Sequence, residues 1–158
     1  MNVTVFRIDD RLIHGQIVTA WLQYADANQI VVVDDDAAKN AMRQQLLRMA
    51  TPKDILLQVL TIEEGKKRLK DDSTDNTLLL VGNASTALAL VDKIENLNSI
   101  NVGNQNMKKG KQKILDNFWL FQEDIEAFQA LKKKGIRCEF RTVPNDQSKD
   151  AYELLNRL

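Results

Sequence analysis

The segment Arg7-Ile8-Asp9-Asp10-Arg11-Leu12-Ile13-His14-Gly15-Gln16 gathers two arginines, two carboxylates, a glycine and the only histidine of the chain. An imidazole is a good nucleophile near neutral pH and can carry a phosphoryl group through nitrogen. His14 falls where a β-rich run gives way to helical spacing. The first N–H groups of that helix, on Gly15, Gln16 and Ile17, have no partner within it and face an anion, helped by the helix dipole. Gly15 lets the backbone approach closely. Arg11 offers a planar fork of donors to phosphate oxygens, and Asp10 stands in the same turn as a further phosphate-contacting candidate. Phosphoryl transfer asks mainly for positioning and charge neutralisation, which this set supplies. The same residues also describe an ordinary polar loop whose lone histidine caps something or sits in water.

Other chemistries find less support. There is no Walker-type glycine loop and no spaced-glycine dinucleotide fingerprint. Asp9-Asp10 and Asp34-Asp35-Asp36 follow the first two strands and could hold Mg²⁺, but carboxylates at helix starts also cap free N–H groups. One histidine and one cysteine are too few for a zinc site. Neither a metal nor a cofactor is expected. The second polar segment, Asn101 to Lys111, carries Lys108, Lys109 and Lys111, with Lys113 just beyond. It reads as a solvated loop or as a docking surface for an acidic partner.

The elements that must position these residues alternate along the chain. Apolar β-rich runs occur at Val3–Ile8, Ile30–Val33, Ile55–Leu60, Thr77–Val81, Ser99–Val102 and Gly135–Val143, with a weaker one near Phe118–Phe121. Between them apolar residues recur at three and four. The stripes are Ile17-Trp21-Tyr24, Met42-Leu46-Met49, Ile62-Leu69, Ala84-Leu88-Val91 and Ile125-Phe128-Leu131. Thr61 and Glu64 are spaced as a capping box. Lys132-Lys133-Lys134-Gly135 reads as a helix end. A last helix is expected from about Ser148, with Tyr152 and Leu155 inward. Strands alternating with helices imply parallel pairing through right-handed crossovers. The expected fold is a three-layer α/β/α sandwich around a mostly parallel, Rossmann-like sheet, one domain over residues 1–158. In such sheets ligands bind beyond the carboxyl ends of the strands, where the His14 turn lies.

Composition narrows the setting. The chain is 44% hydrophobic and 28% charged, with 22 basic and 22 acidic residues, so net charge offers no reason to expect nucleic acid as a partner. The single cysteine, Cys138, cannot form an internal disulfide and suits a reducing cytosol. No secretory signal precedes the first strand, and no apolar run approaches the ~20 residues that span a bilayer.

The segment Arg7 to Gln16 resembles the signature of IIB components of the mannose/fructose/sorbose class of the bacterial phosphotransferase system. Ile30-Val-Val-Val-Asp-Asp35, Ile100-Asn-Val-Gly103, Gly110-Lys111 and Val143-Pro-Asn-Asp146 follow in the family's order, so the resemblance spans the chain. It implies a cytoplasmic phosphocarrier, associated peripherally with membrane components. A IIA component would phosphorylate His14 on its δ nitrogen, Arg11 would stabilise the phosphate, and the group would pass to a sugar delivered by membrane components IIC and IID. Gly103-Asn104-Gln105 stands where many members have two glycines and a methionine, and is similar to the N-acetylgalactosamine branch. The chain opens on its first strand, so no fused IIA domain is expected before it. The competing expectation is a non-catalytic, anion-binding regulatory module of the same fold, which fold alone does not separate from the carrier.

Overall fold

Short runs of Val, Ile and Leu, apolar on both faces, can be satisfied only at the centre of a covered sheet. The computed structural model, which describes residues 1–158, places them there. In chain order the elements are β1 (Asn2–Ile8), α1 (Gly15–Ala25), β2 (Gln29–Val33), α2 (Asp35–Ala38), α3 (Ala41–Ala50), β3 (Leu56–Leu60), α4 (Ile62–Arg68), β4 (Asn76–Val81), α5 (Ala84–Leu90), β5 (Ser99–Val102), β6 (Gln112–Leu115), β7 (Phe118–Leu120), α6 (Gln122–Lys133), β8 (Arg137–Phe140), β9 (Lys149–Asp150) and α7 (Ala151–Leu155). Seven strands form one sheet in the order β3-β2-β4-β1-β5-β8-β9. Pairing is parallel except between β8 and β9. β6 and β7 make a separate antiparallel hairpin. The fold is therefore mixed α/β around a mostly parallel sheet, as expected.

Two apolar layers flank the sheet. On one face α5, α6 and α7 pack on β1, β4, β5 and β8 through residues such as Leu90, Phe128, Leu131 and Leu154. On the other face α1 and α3 cover β1, β2, β3 and β4 through Val18, Trp21, Leu22 and Leu47. β5 and β8 contribute nothing to this second layer. Their side chains there are polar: Asn101 on β5, Arg137 and Glu139 on β8. The sandwich is three-layered over part of its width only.

Several local signals act as expected. The Thr61 hydroxyl accepts from the Glu64 amide at 3.1 Å, and the Glu64 carboxylate accepts from the Thr61 amide at 2.9 Å, which completes the capping box. Gly135 takes φ +79° just past α6, the left-handed conformation a helix end favours. The Cys138 thiol is buried within 3.2 Å of the Tyr152 hydroxyl, and burial pushes it up to about 11. It is a packed, inert thiol. No helix is long and apolar enough to cross a membrane.

Other expectations need correction. The stripe Met42-Leu46-Met49 lies on the outer face of α3: these residues are 58–75% exposed, and Leu47 is the one that faces inward. Tyr24 is likewise exposed on α1. Helical spacing puts residues on one face without saying which face is covered. The last helix begins at Ala151 rather than Ser148, because Lys149 and Asp150 first pair with Phe140 and Glu139 as a short edge strand. Ala151 and Leu154 point inward, with Tyr152 and Leu155 only half-buried.

Gly65 in α4 shows how closely the helices sit on the sheet. A Cβ there would lie 2.8 Å from Cγ2 of Val33, the last residue of β2. Gly65→Ala gains about 1 kcal/mol of helix propensity but overpacks the core at a cost of about 1–3 kcal/mol. The expected outcome is a net loss of about 1 kcal/mol, read as a lower urea midpoint. A raised midpoint would show that Val33 gives way freely.

Candidate active site

The turn after β1 is held by both neighbouring strands. The Asp9 amide donates at 2.9 Å to the carbonyl of Val81, the last residue of β4, and the Asp10 amide at 3.0 Å to the Asn104 carbonyl, beyond β5. The ladder thus runs one step past the strand on each side. A further bond from the Leu12 amide to the Asp9 carbonyl closes the turn at 2.9 Å. Leu12 adopts φ +59°, a conformation costly for a residue with a Cβ, and is held in it by burial of its side chain. Leu12 and Ile13 plug into the apolar layer under α1. Between and beside these plugs Arg11 and His14 are left facing outward.

Asp9 organises the polar side of the turn. It is 1% exposed. Its Oδ1 accepts the Arg11 amide at 3.0 Å and lies 3.6 Å from Arg11 Nε. Its Oδ2 accepts from Arg7 at 3.0 Å and lies 3.9 Å from His14 Nε2. His14 Nε2 is buried and makes no hydrogen bond. The other ring nitrogen, Nδ1, is the one that reaches solvent, since His14 keeps 28% of its side-chain surface. Burial holds the His14 imidazole below its ordinary value of 6.5, the Arg11 charge adds to this, and Asp9 opposes it. The ring is therefore neutral at pH 7, the state in which its nitrogen has a free lone pair.

His14 is the extended residue that precedes α1, and no side chain caps that helix. The amides of Gly15, Gln16 and Ile17 have no partner in the protein. Gly15 sits at φ +41° with open space where a Cβ would be, so glycine is needed here for the backbone angle and not for room. Of the residues picked from sequence, His14, Arg11, Gly15 and Gln16 come together at one edge of the sheet. Asp10 is placed differently. Both its oxygens accept from Asn106, at 2.6 Å from the amide and 2.9 Å from the side chain. Its carboxylate braces the loop after β5 and has no donor to offer a phosphate.

A polar cleft of about 570 Å³ opens beside this turn, lined by Arg11, Arg43, Asn83, Asn106 and Lys108 among others. Of the four lysines beyond β5, Lys111 donates to the Asn106 carbonyl at 3.0 Å and Lys113 pairs with Asp116 at 2.9 Å. Lys108 and Lys109 are exposed, without an acidic partner. The aspartates after β2 are engaged locally: Asp34 caps α2 through the Ala37 amide, and Asp35 accepts the Ile62 amide at 2.9 Å. No three His, Cys, Asp or Glu side chains gather closely enough to hold a metal ion. Sequence reasoning missed the partnership of Arg7 with Asp9. The available signal was an arginine inside an apolar strand with an aspartate two residues on, hence on the same face.

Residues 3–158 match the family profile of the sorbose-subfamily IIB component of the phosphotransferase system. The chain belongs to that family. It is similar to the fructose-specific EIIB component of Bacillus subtilis, at 31% identity over the whole chain and 98% of the relative. It is 33% identical to the N-acetylgalactosamine-specific IIB component 2 of Escherichia coli, over 98% of this chain and 99% of that one. The crystal structure of the IIBSor domain of the Klebsiella pneumoniae sorbose permease superimposes with a TM-score of 0.93, covering 99% and 98% of the two chains at 31% identity. This IIB chain is thus a phosphotransferase component of a sugar transport system. Relatives named for different sugars share nearly the same identity with it, so overall likeness singles out no one sugar.

The protonation of His14 can be followed directly, since no other histidine contributes. Its NMR titration midpoint is expected below 6.5. Replacing Arg11 by Gln should raise it by removing a cation, and replacing Asp9 by Asn should lower it. With the folded value depressed, the unfolded chain binds the proton first as pH falls. The contribution to stability is full above pH 6.5 and is lost as pH falls through the folded value. His14→Gln should remove that part of the pH dependence. A midpoint above 6.5 would contradict this account.

Proposed function

We propose that the IIB chain accepts a phosphoryl group on Nδ1 of His14 from a phosphorylated IIA component. It then passes the group to a sugar of the mannose, fructose, sorbose and N-acetylgalactosamine class, delivered by membrane components IIC and IID. The observation that carries this reading is the asymmetry of the imidazole. Nε2 is turned in against Asp9 and buried, Nδ1 is not, and the residue that carries the ring precedes the uncapped start of α1. In the first step the Nδ1 lone pair attacks the donor's phosphorus. An N–P bond forms as the donor's N–P bond breaks, and no proton need move. In the second step a sugar hydroxyl attacks the same phosphorus, the Nδ1–P bond breaks, and the hydroxyl proton leaves to a base. Charge on the transferring group is met by Arg11 and by the amides of Gly15 and Gln16, which are in place before the reaction.

Asp10 enters this scheme as the residue that holds Asn106, and with it the loop carrying Lys108 and Lys109, close to the turn. Those two unpaired lysines would steer an acidic face of a partner toward His14, raising the encounter rate more than the affinity. The proposed place of action is the cytoplasmic face of the membrane, reached through the membrane components. A non-catalytic anion sensor is not favoured, because the chain's relatives over its full length are phosphotransferase components.

Two substitutions test the reading. His14→Gln should fold yet gain no acid-labile phosphoryl mass when mixed with phosphoenolpyruvate, the general phosphotransferase proteins and IIA. Transfer at the native rate in that variant would end the proposal. Arg11→Lys keeps the charge but loses the two-pronged contact. It should slow transfer by ~100-fold with a melting temperature near that of the parent. A large fall in melting temperature with normal transfer by the folded fraction would make Arg11 structural instead.

A further inference from the structure

Arg7 is fixed on every side, far beyond what its charge alone requires. It is 2% exposed in the middle of the sheet. One end of its guanidinium donates to Asp9 Oδ2 at 3.0 Å. The other donates to the Asn101 side chain and, at 2.9 Å, to the Arg141 carbonyl, 134 residues away in sequence. The group lies 5.0 Å from the centre of the Trp21 ring. Gly103 backs it, and a Cβ at Gly103 would fall 2.2 Å from Arg7 Nη2. Strand, helix, loop and the segment after β8 all meet on this one side chain.

The reaction scheme leaves Arg7 without a task, yet its one charged partner is the carboxylate beside His14. We propose that Arg7 is a positioning residue: it holds the Asp9 carboxylate aimed at His14 Nε2, so that the ring proton stays on that nitrogen and Nδ1 is the nucleophile. The argument rests on geometry. A carboxylate withdrawn from water stays charged only if a counter-ion and hydrogen-bond donors replace the water. Asp9 has two charged neighbours besides His14, of which Arg11 is part-exposed and Arg7 is enclosed. Arg11 is also the group proposed to meet the phosphoryl oxygens, so it cannot hold Asp9 throughout a transfer. Arg7 can, because it touches nothing that reacts. The tautomer of a histidine is set by what its other nitrogen faces, and the Asp9 oxygen nearest Nε2 is the one Arg7 holds.

This inference deepens the transfer reading and rests on it for its consequence, but its first test needs no transfer. The nitrogen shifts of the single histidine, recorded on the unphosphorylated protein above its titration, report which nitrogen bears the proton. In the parent protein the proton is expected on Nε2. Arg7→Lys keeps a cation near Asp9 and drops the links to Asn101 and Arg141, and it should move the tautomer balance toward Nδ1–H. Asn101→Ala, which removes a partner of Arg7 away from His14, should shift it in the same direction by less. In transfer from IIA, Arg7→Lys should cost ~100-fold. In an Asp9→Asn background the same change should cost under ~3-fold, since Arg7 acts through Asp9. If Arg7→Lys does not fold, Asn101→Ala carries the tautomer test alone. An unchanged tautomer balance in the folded variants overturns the proposal, as does an equal rate loss in both backgrounds. If the tautomer shifts as stated while the parent accepts no phosphoryl group from any IIA, the positioning role stands and the transfer reading falls.

Discussion

A carboxylate that lies out of water has to collect its hydrogen bonds and its counter-charge from the protein, and Asp9 collects both. Its two oxygens draw in the Arg11 backbone, the Arg7 guanidinium and the inner edge of the imidazole. The turn cannot relax without releasing that charge. This explains why a strained Leu12 is tolerated and why His14 is left in an extended conformation with its helix start uncapped. A capping side chain would satisfy the N–H groups of α1 and remove the place where an anion can sit. Burial of the ring disfavours its charged form, the Arg11 charge adds to this, and Asp9 works against it.

The arrangement of helices serves the same edge. Helices α4, α5, α6 and α7 cover one face, and α1 and α3 cover the strands that lead to the turn. Over β5 and β8 the second layer is missing, and the polar groups on that side of those strands either meet solvent or turn toward Arg7. Asn101 does the latter, which ties a strand lacking helical cover to the buried charge pair.

Much of this was legible from residue types and order. Runs such as Ile30-Val31-Val32-Val33 could be nothing but covered strands, and the Thr61–Glu64 box and Gly135 mark helix ends through backbone chemistry that acts locally. His14 stood out because it is the only histidine and sits at a strand-to-helix junction. What escaped was decided by distant residues. The direction of α3 depends on which side of it meets β2 and β3, so the spacing of Met42, Leu46 and Met49 marks one face of the helix without saying that this face is surface. The role of Asp10 depends on Asn106, separated from it by 96 residues. The two-residue β9 exists only because β8 offers it an edge. Arg7 looked like one more basic residue of a polar turn, because Asn101, Gly103 and Arg141 are nowhere near it in the chain.

The central position of β1 also sets an order of assembly. The strand that precedes all the others in this sequence lies in the middle of the sheet, and its turn is pinned to Val81 on one side and Asn104 on the other. Arg7 finds its last partner only at Arg141. Contacts that close such long stretches of chain form late, after more local ones. His14 therefore precedes in sequence most of the residues that build its surroundings, and those surroundings close late in folding. A chain that stopped short of Arg141 would hold His14 and Asp9 but leave Arg7 without that last partner.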